Sequence, residues 1–331
     1  MVLRPKSAFL AWLALLCLSQ PALGRGNESI LDRLRPPLVA AHRGGEFGIP
    51  NTLVQFAKAL DTGDADILEM DLRLTADGKV VVFHDGTLDQ KSDCKGKVED
   101  RTYNQLLECK LTNGERIALF SDVLAVVDGR RLISAELKTD EVAVPAARLV
   151  LAAHATNWVY FQIQRSHHRY ELVRAASPYI AMMIKADTPA SVQWILATND
   201  PYLKIVEIGR DNMSAALVRA LHARQKLVSL DTWRYQFTEE RFVASCDRAF
   251  EQGVDIAVTN NPASCHRQKD LWSSQMVDSG HFYDRQHVRG WIRAHSQSIR
   301  GLPIVPAALA ALMAVVALRR RKASLSPANP A

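Results

Sequence analysis

Between about Pro37 and Asn261 the chain alternates short runs rich in β-branched residues with longer amphipathic stretches. A strand needs only a few residues to cross a sheet. Parallel neighbours must be joined by a returning segment, usually a helix, so this alternation predicts repeated βα units and a parallel sheet. The predicted strands are Leu38 to Ala41, Asp66 to Leu74, Leu132 to Leu137, Val159 to Ile163, Ile180 to Ile184, Ile205 to Ile208, Leu227 to Leu230 and Ile256 to Thr259, with a further short strand at Val80 to Phe83. Amphipathic segments fall between them at Thr52 to Asp61, Ala143 to Ala153, Ser191 to Thr198, Ser214 to Arg224 and Glu239 to Gln252. Eight strands with intervening helices in about 230 residues fit a (β/α)8 barrel, the TIM barrel, better than a doubly wound sheet. The polar stretch 85–113 reads as a short insertion after the second strand.

A barrel places its active site at the C-terminal ends of its strands, and those ends are rich in chemistry. His42 and Arg43 follow the first strand. Glu69 and Asp71 share one face of the second, because alternate residues point the same way. His84 and Asp85 close the next short strand, and Glu136 and Lys138 share a face at the end of the third. Three carboxylates converging on one mouth repel each other unless a cation lies between them. Ligands that are all oxygen favour Mg²⁺ or Ca²⁺ over zinc. Two flanking histidines suit general acid and base work, and Arg43 with Lys138 suits an anionic group such as phosphate.

These residues resemble the glycerophosphodiester phosphodiesterase family. The matching run is Ala41-His42-Arg43-Gly44-Gly45, Pro50-Asn51-Thr52 with Phe56, Glu69-x-Asp71 with Thr75-x-Asp77-Gly78, His84-Asp85 with Leu88, Gly96-x-Val98, Thr102 and Leu106, Glu136-x-Lys138, and Gly253-Val254-Asp255 with Thr259-Asn260. The resemblance implies a TIM barrel that hydrolyses glycerophosphodiesters to sn-glycerol 3-phosphate and an alcohol. It assigns His42 and His84 as acid and base, Glu69, Asp71 and Glu136 as ligands of one divalent cation (Ca²⁺ or Mg²⁺), and Arg43 and Lys138 as phosphate-binding. Gln164, ending the fourth strand beside Gln162, and Trp233, just after the seventh, are candidates for contact with the substrate's alcohol portion. Two departures stand out. A glutamate usual before Asn51 is missing, with Glu46 the nearest substitute, and a late aspartate is Asn260. The alternatives are a lysophospholipase D-type phosphodiesterase acting on membrane lysophospholipids and, from another class, a non-catalytic envelope binding protein that keeps the barrel.

Charge and cysteine content bear on destination. The 331 residues hold 41 Lys plus Arg against 35 Asp plus Glu, a net charge of +6. Arg4 and Lys6 lie within residues 1–24 and Arg319, Arg320, Arg321 and Lys322 within 302–331, where no acidic residue occurs. Those six account for the excess. The body is neutral, which removes the case for a nucleic-acid partner. The apolar run Ala8 to Leu18 after a cationic start reads as part of a signal peptide over 1–24. Leu302 to Leu318, followed at once by basic residues, reads as a transmembrane helix with a basic cytoplasmic tail over 319–331. The expected organisation is therefore a barrel over 25–265, a juxtamembrane stalk over 266–301 and the anchor. The protein would be exported and held at the inner membrane, its catalytic domain on the periplasmic or extracellular side. Beyond Cys17, the chain has Cys94, Cys109, Cys246 and Cys265, whose sequence-local pairings are Cys94 with Cys109 and Cys246 with Cys265. The spacing leaves the connectivity open.

Overall fold

The computed structural model describes residues 28–46, 48–209, 212–232 and 246–278. The expected signal peptide, transmembrane helix and basic tail, most of the stalk, and Trp233 lie outside the described residues. No helix among the described residues is long and apolar enough to cross a membrane. By compactness the chain divides into Met1–Trp272 and Ser273–Ala331.

The first unit is a closed barrel. Strands β1 (Leu38–Ala41), β2 (Ile67–Leu74), β4 (Leu132–Leu137), β5 (Val159–Gln162), β6 (Ala181–Ala186), β7 (Leu203–Ile208), β8 (Leu227–Asp231) and β9 (Ile256–Thr259) run parallel in the order β1-β9-β8-β7-β6-β5-β4-β2, and β1 pairs with β2 to close the ring. Strand β3 (Val80–Val82) folds back antiparallel on β2. The predicted strands match these closely because a parallel barrel strand is buried on both faces, so its sequence is an unbroken apolar run. Leu38, Val39, Ala40 and Ala41 are all buried.

Helices α1 (Ile30–Arg33), α2 (Leu53–Thr62), α3 (Tyr103–Glu108), α4 (Phe120–Val127), α5 (Ala143–Ala152), α6 (His167–Ala176), α7 (Pro189–Ala197), α8 (Ala215–Ala223) and α9 (Pro262–Asp278) accompany the strands. Several start on side-chain caps. Thr52, Thr102, Ser166, Thr188 and Ser214 each accept from a backbone N–H of the first turn, which satisfies a donor that has no partner within the helix.

The insertion after β3 has a core of its own, with Val81, Phe83, Leu88, Val98, Leu106 and Ile117 buried together. The Cys94–Cys109 disulfide closes it (S–S 2.07 Å). The second disulfide, Cys246–Cys265 (2.12 Å), ties the helical residues 246–251 to α9. Helix α9 changes one expectation. The boundary placed after residue 265 falls inside it, and the helix packs on the barrel beyond that point: Lys269 pairs with Asp66 (2.8 Å), and Trp272 lies 6.3 Å from Phe250 between ring centroids.

Candidate active site

Strand β1 ends in a tight turn over His42–Gly44. Arg43 adopts φ 51°, a left-handed conformation uncommon for a side chain of its size, and Gly44 and Gly45 follow at φ 89° and 93°. This reversal aims the Arg43 N–H at Glu69 Oε2 (2.8 Å) and holds its guanidinium Nε 3.2 Å from Asp71 Oδ2. The glycine between strand and helix has no room to be anything else. A Cβ on Gly44 would sit 2.6 Å from Gln55 Cγ and 3.2 Å from Phe56 Cδ1, and Gln55 is itself held by its Nε2 donating to Gly45 O. Gly44→Ala is therefore expected to destabilise the fold by roughly 1–3 kcal/mol and to displace Arg43. Thermal melts and product assays on the same preparation check both effects.

The carboxylates converge as the alternation on β2 predicts. Glu69, Asp71 and Glu136 bring one oxygen each to within 4.8 Å of one another, with Glu69 and Asp71 buried. Asp71 is the hub. It accepts from Asn51 Nδ2 (2.7 Å), its own N–H donates to Asn51 Oδ1 (3.2 Å), and its other oxygen faces Lys138 Nζ at 2.8 Å. Lys138 also donates to Glu136 Oε1 (2.7 Å). The electrostatics split the cluster. Burial alone would push Asp71 up, but Lys138 and Arg43 outweigh it and hold its carboxyl below the usual range. At Glu69, burial and then the charges of Asp71 and Glu136 push the carboxyl well above the usual range. Burial works against the Lys138 ammonium, yet Asp71 and Glu136 outweigh it and raise its pKa. A carboxyl that resists ionisation because of its burial and then its acidic neighbours, in an all-oxygen donor set, fits a hard divalent cation.

The two histidines are each oriented through Nδ1. His42 Nδ1 lies 2.6 Å from Asn260 Oδ1. An amide oxygen only accepts, so Nδ1 carries the proton. Burial first, then the Arg43 charge, lowers His42 to about 4. His84 Nδ1 lies 2.6 Å from Asp85 Oδ1. His84 is near enough to act electrostatically on both His42 and Asp71. Its backbone is held from below: Arg73 donates to the His84 carbonyl from Nε (3.1 Å) and Nη2 (2.9 Å), and from Nη1 to Glu99 of the insertion (2.6 Å).

The model of the glycerophosphoryl diester phosphodiesterase family matches residues 42–264. The chain belongs to that family. Membership makes it an enzyme of the phosphodiesterase class. Among curated members, the glycerophosphodiester phosphodiesterase of Caldanaerobacter subterraneus subsp. tengcongensis is 27% identical over 238 residues, 68% of this chain and 94% of the relative. That of Bacillus altitudinis is 28% identical over 214 residues, 57% and 83% of the two chains. Solved phosphodiesterases share the fold. A glycerophosphoryl diester phosphodiesterase from Parabacteroides distasonis superposes with a TM-score of 0.64 at 22% identity, over 74% of this chain and 93% of that one. A phosphodiesterase from Oleispira antarctica, solved in complex with the product sn-glycerol-3-phosphate, superposes with a TM-score of 0.59 at 18% identity, over 71% and 97%.

Within this phosphodiesterase barrel, seven sequence-predicted residues gather at one mouth: His42, Arg43, Glu69, Asp71, His84, Glu136 and Lys138. Gln164 lies past the end of β5 with φ 52°, and its carbonyl accepts from Lys185 N (2.8 Å). Gln162 is the glutamine that reaches inward, to Ser134 Oγ (2.8 Å) and toward Glu69 Oε1 (3.4 Å). Glu46 is exposed, and a brace on Asp71 comes from Asn51. Sequence reading passed over Asn51 as a site residue, and it noted Asn260 only as a departure from the family pattern. Asn51 had a signal, since an Asn beside Pro tolerates the left-handed turn seen here at φ 66°. Arg73 had none, because its target is a backbone carbonyl.

Proposed function

We propose that this chain hydrolyses glycerophosphodiesters to sn-glycerol 3-phosphate and an alcohol, with His42 and His84 exchanging the protons. The carrying observation is the convergence, at one barrel mouth, of two Nδ1-anchored histidines, two cations and a carboxylate cluster. Glu69, Asp71 and Glu136 would hold the divalent cation, Ca²⁺ or Mg²⁺, which when bound supplies Lewis acidity toward the phosphodiester. Arg43 and Lys138 bind the non-bridging phosphate oxygens. Lys138 is well placed for this because the same ammonium is anchored by Asp71 and Glu136.

His42 is the base. An imidazole whose pKa is near 4 is neutral at physiological pH, and with Nδ1–H committed to Asn260 it takes a proton at Nε2. The proton comes from the attacking hydroxyl, the substrate's own or a water. His84, held by Asp85, protonates the oxygen of the departing alcohol as its bond to phosphorus breaks.

The test is hydrolysis of glycerophosphocholine and lysophosphatidylcholine by the full chain, with and without EDTA. Turnover of the first that stops with EDTA supports the reading. Preference for the second moves it to a lysophospholipase D. No turnover of either with any divalent cation leaves a binding protein. Transient build-up of a cyclic phosphodiester, followed by ³¹P NMR, identifies the substrate hydroxyl as the nucleophile.

The proposal also includes export and anchoring, with residues 1–24 as a signal peptide and 302–318 as the membrane helix. Two disulfides in the described body support an oxidising compartment. Resistance of the full chain to alkaline extraction from membranes tests the anchor.

A further inference from the structure

The two histidines at the mouth are fastened in different ways. His42 Nδ1 meets Asn260, which follows β9, so that ring is tied to a strand distant in sequence. His84 Nδ1 meets Asp85, the next residue of the chain. This bond orients the ring, but its anchor rides on the same turn and moves with it. The His84 and Asp85 side chains are 38% and 30% exposed, so packing holds the pair only in part. Whatever keeps the His84 imidazole at a fixed distance from phosphorus has to hold its backbone.

That backbone is fastened at two points. On one side the Phe83 N–H donates to the Asp71 carbonyl (2.9 Å). On the other, the Arg73 guanidinium donates to the His84 carbonyl from both Nε and Nη2. Arg73 is in reach because Glu69, Asp71 and Arg73 alternate on one face of β2, which puts the arginine next in line after the carboxylates. Its guanidinium also lies against the turn that follows His84: a Cβ on Gly86 would be 3.7 Å from Nη2 and 3.8 Å from Nη1.

A guanidinium engaged at one edge can still swing on its long side chain. Here the other edge is engaged too, since Nη1 donates to Glu99 Oε1 (2.6 Å), and the Arg73 side chain is only 13% exposed. The insertion places Glu99. Val98, fully buried in the insertion's core, donates from its N–H to Gly86 O (3.2 Å), Leu88 N–H donates to Gly96 O (2.9 Å), and Thr87 pairs antiparallel with Lys97. The Cys94–Cys109 disulfide closes the loop that carries this segment. A small, cross-linked unit therefore presents a carboxylate to the guanidinium whose opposite edge grips the backbone of His84.

Satisfying one carbonyl does not call for this arrangement. The carbonyl of a partly exposed residue is ordinarily met by water or by a single neutral N–H. A planar fork with two donors on the carbonyl and a third on a carboxylate fixes direction as well as distance. Hydrogen bonds from a charged donor are also roughly twice as strong as neutral ones.

We propose that Arg73 and Glu99 are positioning residues for the general acid: through the His84 carbonyl they hold the imidazole where Nε2 meets the oxygen of the departing alcohol. The order of the insertion is thereby carried into the chemical step. This rests on the phosphodiesterase reading and on His84 as its acid. A displaced acid has a signature that general loosening lacks. An aliphatic alcohol leaves phosphorus with a proton, delivered from His84 Nε2 as the P–O bond breaks, whereas 4-nitrophenolate is a stable anion and leaves without one. Misplacing the acid therefore slows only the first kind of substrate.

The test follows alcohol release in a single turnover, with the full chain and divalent cation in excess, from glycerophosphocholine and from the 4-nitrophenyl ester of sn-glycerol 3-phosphate. Glu99→Gln and Arg73→Lys are compared with the parent. The expected result is choline release slowed roughly tenfold or more in Glu99→Gln and further in Arg73→Lys, with 4-nitrophenolate release within about twofold of the parent in both. Retained 4-nitrophenolate release also shows that each variant is folded, with its cation and base in place. Equal slowing of the two substrates, or choline release at the parent's rate in Glu99→Gln, overturns the proposal.

Imidazole ¹H–¹⁵N spectra, with His84→Gln to assign the ring, keep positioning separate from catalysis. In Glu99→Gln the His84 signals are expected to shift and broaden while those of His42 stay in place. His84 signals identical to the parent's count against the proposal whatever the rates show. If the parent releases neither alcohol, the phosphodiesterase reading fails, and a displaced His84 ring in Glu99→Gln still supports its positioning by Arg73 and Glu99.

Discussion

His42→Ala is expected to lower kcat/KM for glycerophosphodiester hydrolysis by roughly 10²–10⁴-fold, with divalent-cation binding, followed by calorimetry, retained. The two readouts separate because His42 is anchored to Asn260 (2.6 Å), whereas the carboxylates that would hold the cation are Glu69, Asp71 and Glu136. A rate within tenfold of the parent would remove His42 from the chemistry. The anchor offers a sharper test. If His42 is the base, as proposed, it works in its neutral form, so kcat/KM should decline as pH falls through its pKa, near 4. Asn260→Asp places a carboxylate on Nδ1, stabilises the imidazolium and raises that pKa. The acid limb of the pH profile then moves to higher pH, by roughly one to three units. A limb that stays in place, or moves to lower pH, would show that another group sets it. The same substitution restores the aspartate usual in the family.

The difference between what sequence reading reached and what it missed has a physical origin. Strand residues were legible because burial on both faces of β1 through β9 writes apolar runs, and site residues were legible where they follow those runs at fixed offsets, as His42 and Lys138 do. Helices were less so. Phe120–Val127 is buried at Phe120, Val123, Leu124 and Val127, yet it is eight residues long and follows the polar insertion, so its period is hard to separate from its surroundings. Residues that act through geometry left little trace. Asn51 braces Asp71 from a turn and Arg73 holds the carbonyl of His84, and neither role follows from residue type at a position. The choice between Gln162 and Gln164 turned on where β5 ends. Alternation puts both on one face, but the strand stops at Gln162 and the backbone turns left-handed at Gln164.

Cation binding should be coupled to the loss of a proton from Glu69. Burial and the neighbouring Asp71 and Glu136 hold that carboxyl well above the ordinary range, so in the cation-free protein it keeps its proton to higher pH than a free glutamate does. A divalent cation favours the ionised form and displaces that proton. Affinity for Ca²⁺ or Mg²⁺ is therefore expected to rise as pH increases through the raised Glu69 pKa. Calorimetry in buffers of different ionisation enthalpy should show up to about one proton released per cation over that window. The sign for stability is the opposite. A group whose pKa is raised by folding favours the folded state at low pH and opposes it as pH rises and the charge is forced into the site. Glu69→Gln removes that charge while keeping the shape. In EDTA at neutral pH the variant should melt higher than the parent, by roughly 2–4 °C for each kcal/mol relieved in a domain of this size. With the cation present the order reverses, since the variant has lost a ligand and the stabilisation that binding gives the folded state. If Glu69→Gln melted lower than the parent in EDTA, the carboxylate would already be balanced by Arg43 and Lys138, and the argument for a cation at this mouth would lose its electrostatic basis.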